Sequence, residues 1–198
     1  SIGDYFKKEA IEYALEFLTD KLNLPEEKFF ITIHHTDDEA QEMWENIGVP
    51  KERIYRFGDD DNWWGPPIHG SEGPCGPCSE LHYDFGSDRG CLRNDCAPNC
   101  ENLMSTSEKC TRFVELWNLV FMQYYHHPDG TRENLPAPSI DTGMGLERAT
   151  IVMQDSETMY ETDLFSSLIT QVCSISRQKY GQNLETDYAI RAIAEHTR

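Results

Sequence analysis

Ile140-Asp141-Thr142-Gly143-Met144-Gly145-Leu146-Glu147-Arg148 begins with strand chemistry and ends with helix chemistry. Ile140 and Thr142 are β-branched and suit a strand. Gly143 and Gly145 remove side chains where something must approach the backbone, and residues 146–154 have helical spacing. Strand side chains alternate, so Asp141 and Gly143 share a face. Arg148 projects from the first helical turn, where a fixed guanidinium and the positive helix end both favour a phosphate. A strand–glycine–helix turn is also common as plain structure, so the stretch alone does not choose between the two readings.

The bulk numbers narrow the classes. The chain has 198 residues, enough for one sizeable core or one domain and part of another. No apolar run approaches the roughly 20 residues of a membrane helix, and no basic segment followed by an apolar core reads as a signal peptide. Seventeen Lys+Arg stand against 35 Asp+Glu, a net charge of -18. That balance argues against a broad nucleic-acid grip by this stretch, since such affinity comes mainly from lysine and arginine. Seven cysteines, an odd number, point to metal binding or reduced thiols rather than a disulfide framework. The chain begins Ser-Ile-Gly-Asp and ends at Arg198 inside a helical pattern, so both ends read as cuts.

Residues 4–23 have an apolar stripe of Ile11, Ala14, Leu15, Leu18 and Leu22, which predicts a helix stopped before Pro25. Residues 29–34 predict a strand. Asp37 or Asp38 caps the next helix, with Ala40, Met43, Trp44 and Ile47 inward and Gly48 as its stop. Residues 53–57 are a second strand candidate, and the alternation favours a mixed α/β layer over a bundle. From 58 to 90 the chain turns rich in glycine and proline. The segment through Gly73-Pro74-Cys75-Gly76-Pro77-Cys78 is expected to stay out of helices and central strands, with 79–85 returning as a strand. Trp63 and Trp64 either wall a binding site or pin this loop to the core.

Cys91, Cys96, Cys100 and Cys110 follow with spacing C-x4-C-x3-C-x9-C in a polar stretch. Four thiolates on a segment too poor in apolar residues to fold alone suit a tetrahedral structural Zn2+. The competing reading is four reduced surface cysteines, an oxidation liability. Cys75 and Cys78 could be a rival ligand pair or a redox pair, though Pro74 and Pro77 favour a structural turn. Residues 113–125 are the strongest strand, apolar on both faces and therefore central. Its odd positions include Glu115 and Trp117; its even positions include Asn118 and Val120. Asn118 is then a buried amide that needs partners, either from the core or from a ligand. Residues 126–130 form a turn, and helices follow near 163 and 187.

Taken together, these stretches resemble the alanyl-tRNA synthetase family of class II aminoacyl-tRNA synthetases. Gly3-Asp4-Tyr5-Phe6-Lys7 resembles the end of the family's motif 2. Asp61-Asn62-Trp63-Trp64 resembles its Asp-Asn-Phe-Trp, with tryptophan for phenylalanine. Gly73 through Glu80, Leu116 through Gln123 and Asp141 through Arg148 match nearly word for word, the last being motif 3. The cysteine-rich insertion at 91–110 departs from many members. The resemblance implies an α+β fold, a class II antiparallel β-sheet flanked by helices. Residues 1–180 would be the C-terminal part of the aminoacylation domain, and 181–198 the start of a helical tRNA-recognition domain.

It also implies cytoplasmic activation of alanine with ATP and Mg2+, then transfer to tRNA(Ala) mostly through regions outside this stretch, which alone would be inactive. Asp141 would pair with the alanine ammonium, Asn118 and Val120 would line the pocket, Trp64 would close it, and Gly143 would leave room. Gly145 would bring backbone near ATP, and Arg148, the catalytic candidate, would hold its γ-phosphate. Glu115 is tempting as a Mg2+ ligand but lies on the face opposite Asn118 unless a bulge intervenes. Two rivals remain: a non-catalytic paralogue or zinc-stabilised interaction module, and an unrelated phosphate-binding enzyme.

Overall fold

The apolar run at 29–34 forms a strand as its pattern demands, β1 (Phe29–His34), inside a six-stranded sheet. The strand order is β2 (Ile54–Phe57), β1, β4 (Gly73–Asp84), β5 (Phe113–His126) and β6 (Arg132–Met144), while the short β3 (Trp63–Trp64) pairs with β4. β1 and β2 run parallel and every other pair is antiparallel. This computed structural model describes residues 1–66, 71–100 and 110–198. Pro67 of the glycine- and proline-rich loop, and positions 101–109 of the cysteine-rich insertion, lie outside the described residues. The chain divides into two units, Ser1–Gly145 and Leu146–Arg198.

In the first unit one face of the sheet is apolar and covered by helices. Phe29, Ile31, Ile33, Leu81, Leu119 and Phe121 are buried, as are Ile11, Ala14 and Leu18 of the N-terminal helical segment and Ala40 and Trp44 of α2 (Asp38–Asn46). The rings of Phe6 and Phe121 lie 6.1 Å apart, and those of Phe17 and Trp117 lie 5.7 Å apart. Trp44 Nε1 donates to Ser79 Oγ at 3.2 Å, so its one polar atom is satisfied inside the core. Asp37 caps α2 by accepting from the Ala40 amide at 3.1 Å. Lys7, at the start of α1 (Lys7–Glu16), is buried, with Nζ 2.7 Å from Asp37 Oδ1 and 2.9 Å from Glu39 Oε2. This ion pair ties the first helix to the cap of the second.

Three expectations need correction. The first helix starts at Lys7 rather than residue 4, because Gly3 has φ +68 and Ser1 Oγ takes the amides of Asp4 and Tyr5 in a turn. The Gly-Pro segment at 73–78 is not outside the sheet: it is the first half of β4, which lies between β1 and β5. A register break between Cys75 and Cys78 leaves Gly76 and Pro77 without partners on β5, and both pair with β3 instead. The missing N–H of Pro77 therefore removes no β5 hydrogen bond. Gly76 is needed there, since a Cβ would sit 2.0 Å from the Phe121 carbonyl oxygen.

The third correction is in β5. Leu81 pairs with Trp117 but His82 pairs with Glu115, so Leu116 is an extra residue on β5. Such a bulge reverses the facing of everything before it. Glu115 therefore shares the face of His82, Glu80 and Asn118, and the parity argument against it falls.

β6 runs through Met144 and gives way after Gly145 to α4 (Leu146–Met153), as the strand–glycine–helix pattern predicts. Its prolines, Pro136 and Pro138, are tolerated on the last strand of the sheet. In the second unit α5 (Asp163–Ser176) and α6 (Leu184–Thr197) share a core of Phe165, Ile169, Ile190 and Ala194. Asn183 caps α6 by accepting from the amides of Glu185 and Thr186. In packing, residues 181–198 thus belong with the helix before them. Among the described residues no helix is long and apolar enough to cross a membrane.

Candidate active site

The sheet face opposite α1 and α2 is polar, and its register assembles the site. Thr32 lies opposite Glu80, Glu80 opposite Asn118, and Asn118 opposite Gly143, so these four form one row across four strands. In the adjacent row Cys78 lies opposite Val120, and Val120 opposite Asp141. Strand alternation alone puts Asn118 with Val120 and Asp141 with Gly143. The pairing of β5 with β6 adds what alternation cannot, that both pairs share one face. Asp141 and Gly143 are exposed, Asn118 is half-buried and Val120 is buried. A Cβ on Gly143 would meet nothing within 4 Å, so there is open space at this position.

Beneath this surface runs a hydrogen-bonded layer. Asn118 Nδ2 donates to Glu80 Oε1 at 3.1 Å. Glu80 Oε2 lies 3.2 Å from Thr32 Oγ1, which donates to it, and 3.1 Å from His82 Nε2. Thr32 Oγ1 in turn accepts from Asn62 Nδ2 at 2.8 Å, and the same amide reaches the Cys78 carbonyl at 3.3 Å. An ionised carboxylate only accepts, so Glu80 fixes which end of the Asn118 amide faces it. Asn118 Oδ1 is left buried with no partner among the described residues, an acceptor suited to a donor such as an ammonium. Sequence reasoning assigned no role to Glu80, Thr32 or His82. The signal available for Glu80 was its place two residues beyond Cys78 on a strand, together with the unmet amide of Asn118.

The two tryptophans differ in their packing. Trp63 stacks on Tyr124 at 6.0 Å and sits under Arg132, whose guanidinium carbon is 4.1 Å from the ring centroid, so it pins the segment. Trp64 is 44% exposed. Cys75 and Cys78 are both buried and free. Burial pushes the Cys78 thiol up to about 12, with the Glu80 charge adding to it, and burial raises Cys75 as well. Such thiols stay protonated and make poor nucleophiles, redox partners or metal ligands.

A separate cleft of about 600 Å³ between α1 and α2, lined by Lys8, Glu12, Glu39 and Met43 among others, contains none of the candidate residues. Arg148 and Gly145 fall on either side of the division between the two units. Arg148 stands in the first turn of α4.

Cys91, Cys96, Cys100 and Cys110 converge, with all four sulfurs within 4.8 Å of one another, a group that could hold a metal ion. Soft sulfur donors at that spacing suit zinc far better than Mg2+ or Ca2+.

The chemistry of the sheet face is that of binding rather than covalent catalysis. It offers an exposed carboxylate, an oriented amide oxygen and a glycine that leaves space, and among the described residues no activated nucleophile lies beside them. Comparison with known proteins gives the family. The model of a family described as tRNA synthetases class II (A) matches residues 1–198. The alanine–tRNA ligase of one strain of Dehalococcoides mccartyi is 53% identical over 198 residues, spanning 100% of this chain and 22% of that protein. Those of Oleidesulfovibrio alaskensis and Acetivibrio thermocellus are 48% and 46% identical, again over 100% of this chain and 22% and 21% of theirs. The chain therefore spans about a fifth of the length of the curated relatives it matches.

Proposed function

We propose, from the premise that this chain belongs to the class II (A) tRNA synthetase family, that it forms part of an alanine–tRNA ligase. The whole protein would join alanine to ATP, giving alanyl-adenylate and pyrophosphate, and would pass alanine to the 3′ end of tRNA(Ala). The observation that carries this reading is the register that brings Asn118, Val120, Asp141 and Gly143 onto one sheet face above the Glu80 network. The names of the relatives support it.

Asp141 would receive the alanine ammonium, with Asn118 Oδ1 as a second acceptor. Val120 would contact the methyl group, Trp64 would close the rim, and Gly143 would admit the backbone of the ligand. Adenylation requires an alanine carboxylate placed in line with the α-phosphate and relief of developing charge, so positioning groups suffice. Gly145 and Arg148 would serve ATP, the arginine at its γ-phosphate; for these two the support is the likeness of motif 3. ATP would bring Mg2+, and Glu115, a hard oxygen donor set on this face by the bulge, fits that ion. A small pocket discriminates glycine or serine from alanine by only ~1–3 kcal/mol, so editing elsewhere is expected. Residues 1–180 would be the later part of the aminoacylation domain and 181–198 the start of a helical tRNA-recognition domain. The strongly acidic charge suits tRNA contacts made mainly by other regions. The test is alanine-dependent exchange of pyrophosphate into ATP by the full-length protein. Exchange that depends on a different amino acid would overturn the reading.

A further inference from the structure

The cysteine cluster has no part in those steps, yet it is built with more constraint than surface thiols need. We propose that Cys91, Cys96, Cys100 and Cys110 bind one Zn2+ through four thiolates, as a structural clamp on the connection between β4 and β5. The proposal is independent of the alanine reading.

The four sulfurs are already gathered within reach of one ion. The sulfurs of Cys91 and Cys100 are 3.6 Å apart, as are those of Cys96 and Cys110, and no pair in the group exceeds 4.8 Å. A zinc–thiolate bond of about 2.3 Å gives tetrahedral edges of about 3.8 Å, so closure on the ion needs shifts of about 1 Å or less. Cys96 and Cys110 are buried in one cluster with Phe113, and the half-buried Cys91, Cys100 and Phe30 pack against it.

The backbone is shaped around the sulfurs. Gly90 has φ +81, and a Cβ there would lie 2.5 Å from Cys110 Sγ, so only glycine lets this sulfur in. The amide of Cys91 donates to Cys110 Sγ at 3.2 Å, and the Arg93 amide donates to the Cys91 sulfur. Amide donors of this kind stabilise thiolates. Four thiolates on Zn2+ carry a net charge of −2, and the guanidinium of Arg93 faces Cys91 and Cys100 while that of Arg112 faces Cys96.

The location explains what a metal would do. Residues 91–100 contain only turns and irregular backbone, with little apolar content to hold them. The two ends of the connection are already joined where Arg112 donates twice to the Asp84 carboxylate at 2.8 Å and Phe85 donates to the Arg112 carbonyl at 3.0 Å. Zn2+ would extend this closure past the last ladder pair, Asp84 with Phe113. It would thereby steady the end of β5 that carries the Leu116 bulge.

The test uses the chain purified without chelator or added metal. Elemental analysis should find one zinc per chain in the wild type and in Cys173→Ser, and loss of most of it in Cys96→Ser. Because Cys96→Ser could fail to fold, the wild-type chain is also stripped of metal and titrated with Co2+. Thiolate-to-cobalt charge-transfer bands with the visible bands of a tetrahedral site, saturating at one equivalent and bleached by Zn2+, are expected. A zinc-free chain with no such cobalt spectrum, iron in place of zinc, or mass mapping that shows the four cysteines as two disulfides would each overturn the proposal.

Discussion

Lys7→Met removes a buried cation from the first unit while nearly preserving the volume of the side chain. Its ammonium sits 2.7 Å from Asp37 Oδ1, with side-chain exposures of 3% and 4%, and 5.4 Å from the Phe121 ring centroid. Among the described residues Asp37 then keeps only the hydrogen bond from the Ala40 amide, since its Oδ2 has no partner there. Breaking a buried pair in this way costs about 3–5 kcal/mol, because a charge is left without compensation. The second contact, to the largely exposed Glu39, adds only about 0–1 kcal/mol.

All four tryptophans, Trp44, Trp63, Trp64 and Trp117, belong to the unit Ser1–Gly145, so their fluorescence in urea reports that unit alone. With an m-value of about 2 kcal/mol/M, the midpoint should fall by roughly 1.5–2.5 M. Adding Asp37→Asn should recover at least about 2 kcal/mol, since asparagine keeps the helix cap without the buried charge. A single-variant shift below about 1 kcal/mol, or a double variant no better than the single, would refute the reasoning.

Three further outcomes follow from the geometry. Glu80→Gln in the full-length protein should raise the KM for alanine about tenfold through loss of the fixed Asn118 amide, with the KM for ATP unchanged; equal effects on both substrates would mean a merely structural carboxylate. Gly76→Ala should destabilise the first unit by about 1–3 kcal/mol or more, because its methyl would meet the Phe121 carbonyl rather than a movable side chain, and a urea midpoint equal to wild type would contradict that. Asn183→Ala should lower the stability of the α5–α6 pair by about 0.5–2 kcal/mol, read as loss of helical circular dichroism at lower temperature; an unchanged thermal transition would contradict the cap assignment.

Much of this fold was legible because its signals are local. The strand at 29–34, the Asp37 cap and the passage from β6 into α4 each follow from a few neighbouring residues. What was not legible depended on partners distant in sequence. Pro74 and Pro77 argue against a central strand until β3 is seen to take the pairing at Gly76 and Pro77. Glu115 reads as facing away from Asn118 until one extra residue, Leu116, turns it round, and a single-residue bulge leaves no mark in an apolar strand. Asp141, Gly143, Asn118 and Val120 could be grouped in twos by alternation, but only the β5–β6 register puts the two pairs together. Glu80 lay within a motif that sequence reasoning had quoted. Its role emerged only from a hydrogen bond across 38 positions of sequence.

The central claim is that Asp141 receives the ammonium of alanine beside Asn118. It is tested most directly by alanine-dependent ATP–pyrophosphate exchange in the full-length protein carrying Asp141→Asn. Losing one charge-assisted contact of about 1.5–3 kcal/mol predicts that kcat/KM for alanine falls roughly 10- to 100-fold while the KM for ATP holds. Exchange kinetics for alanine equal to those of the wild type would contradict it.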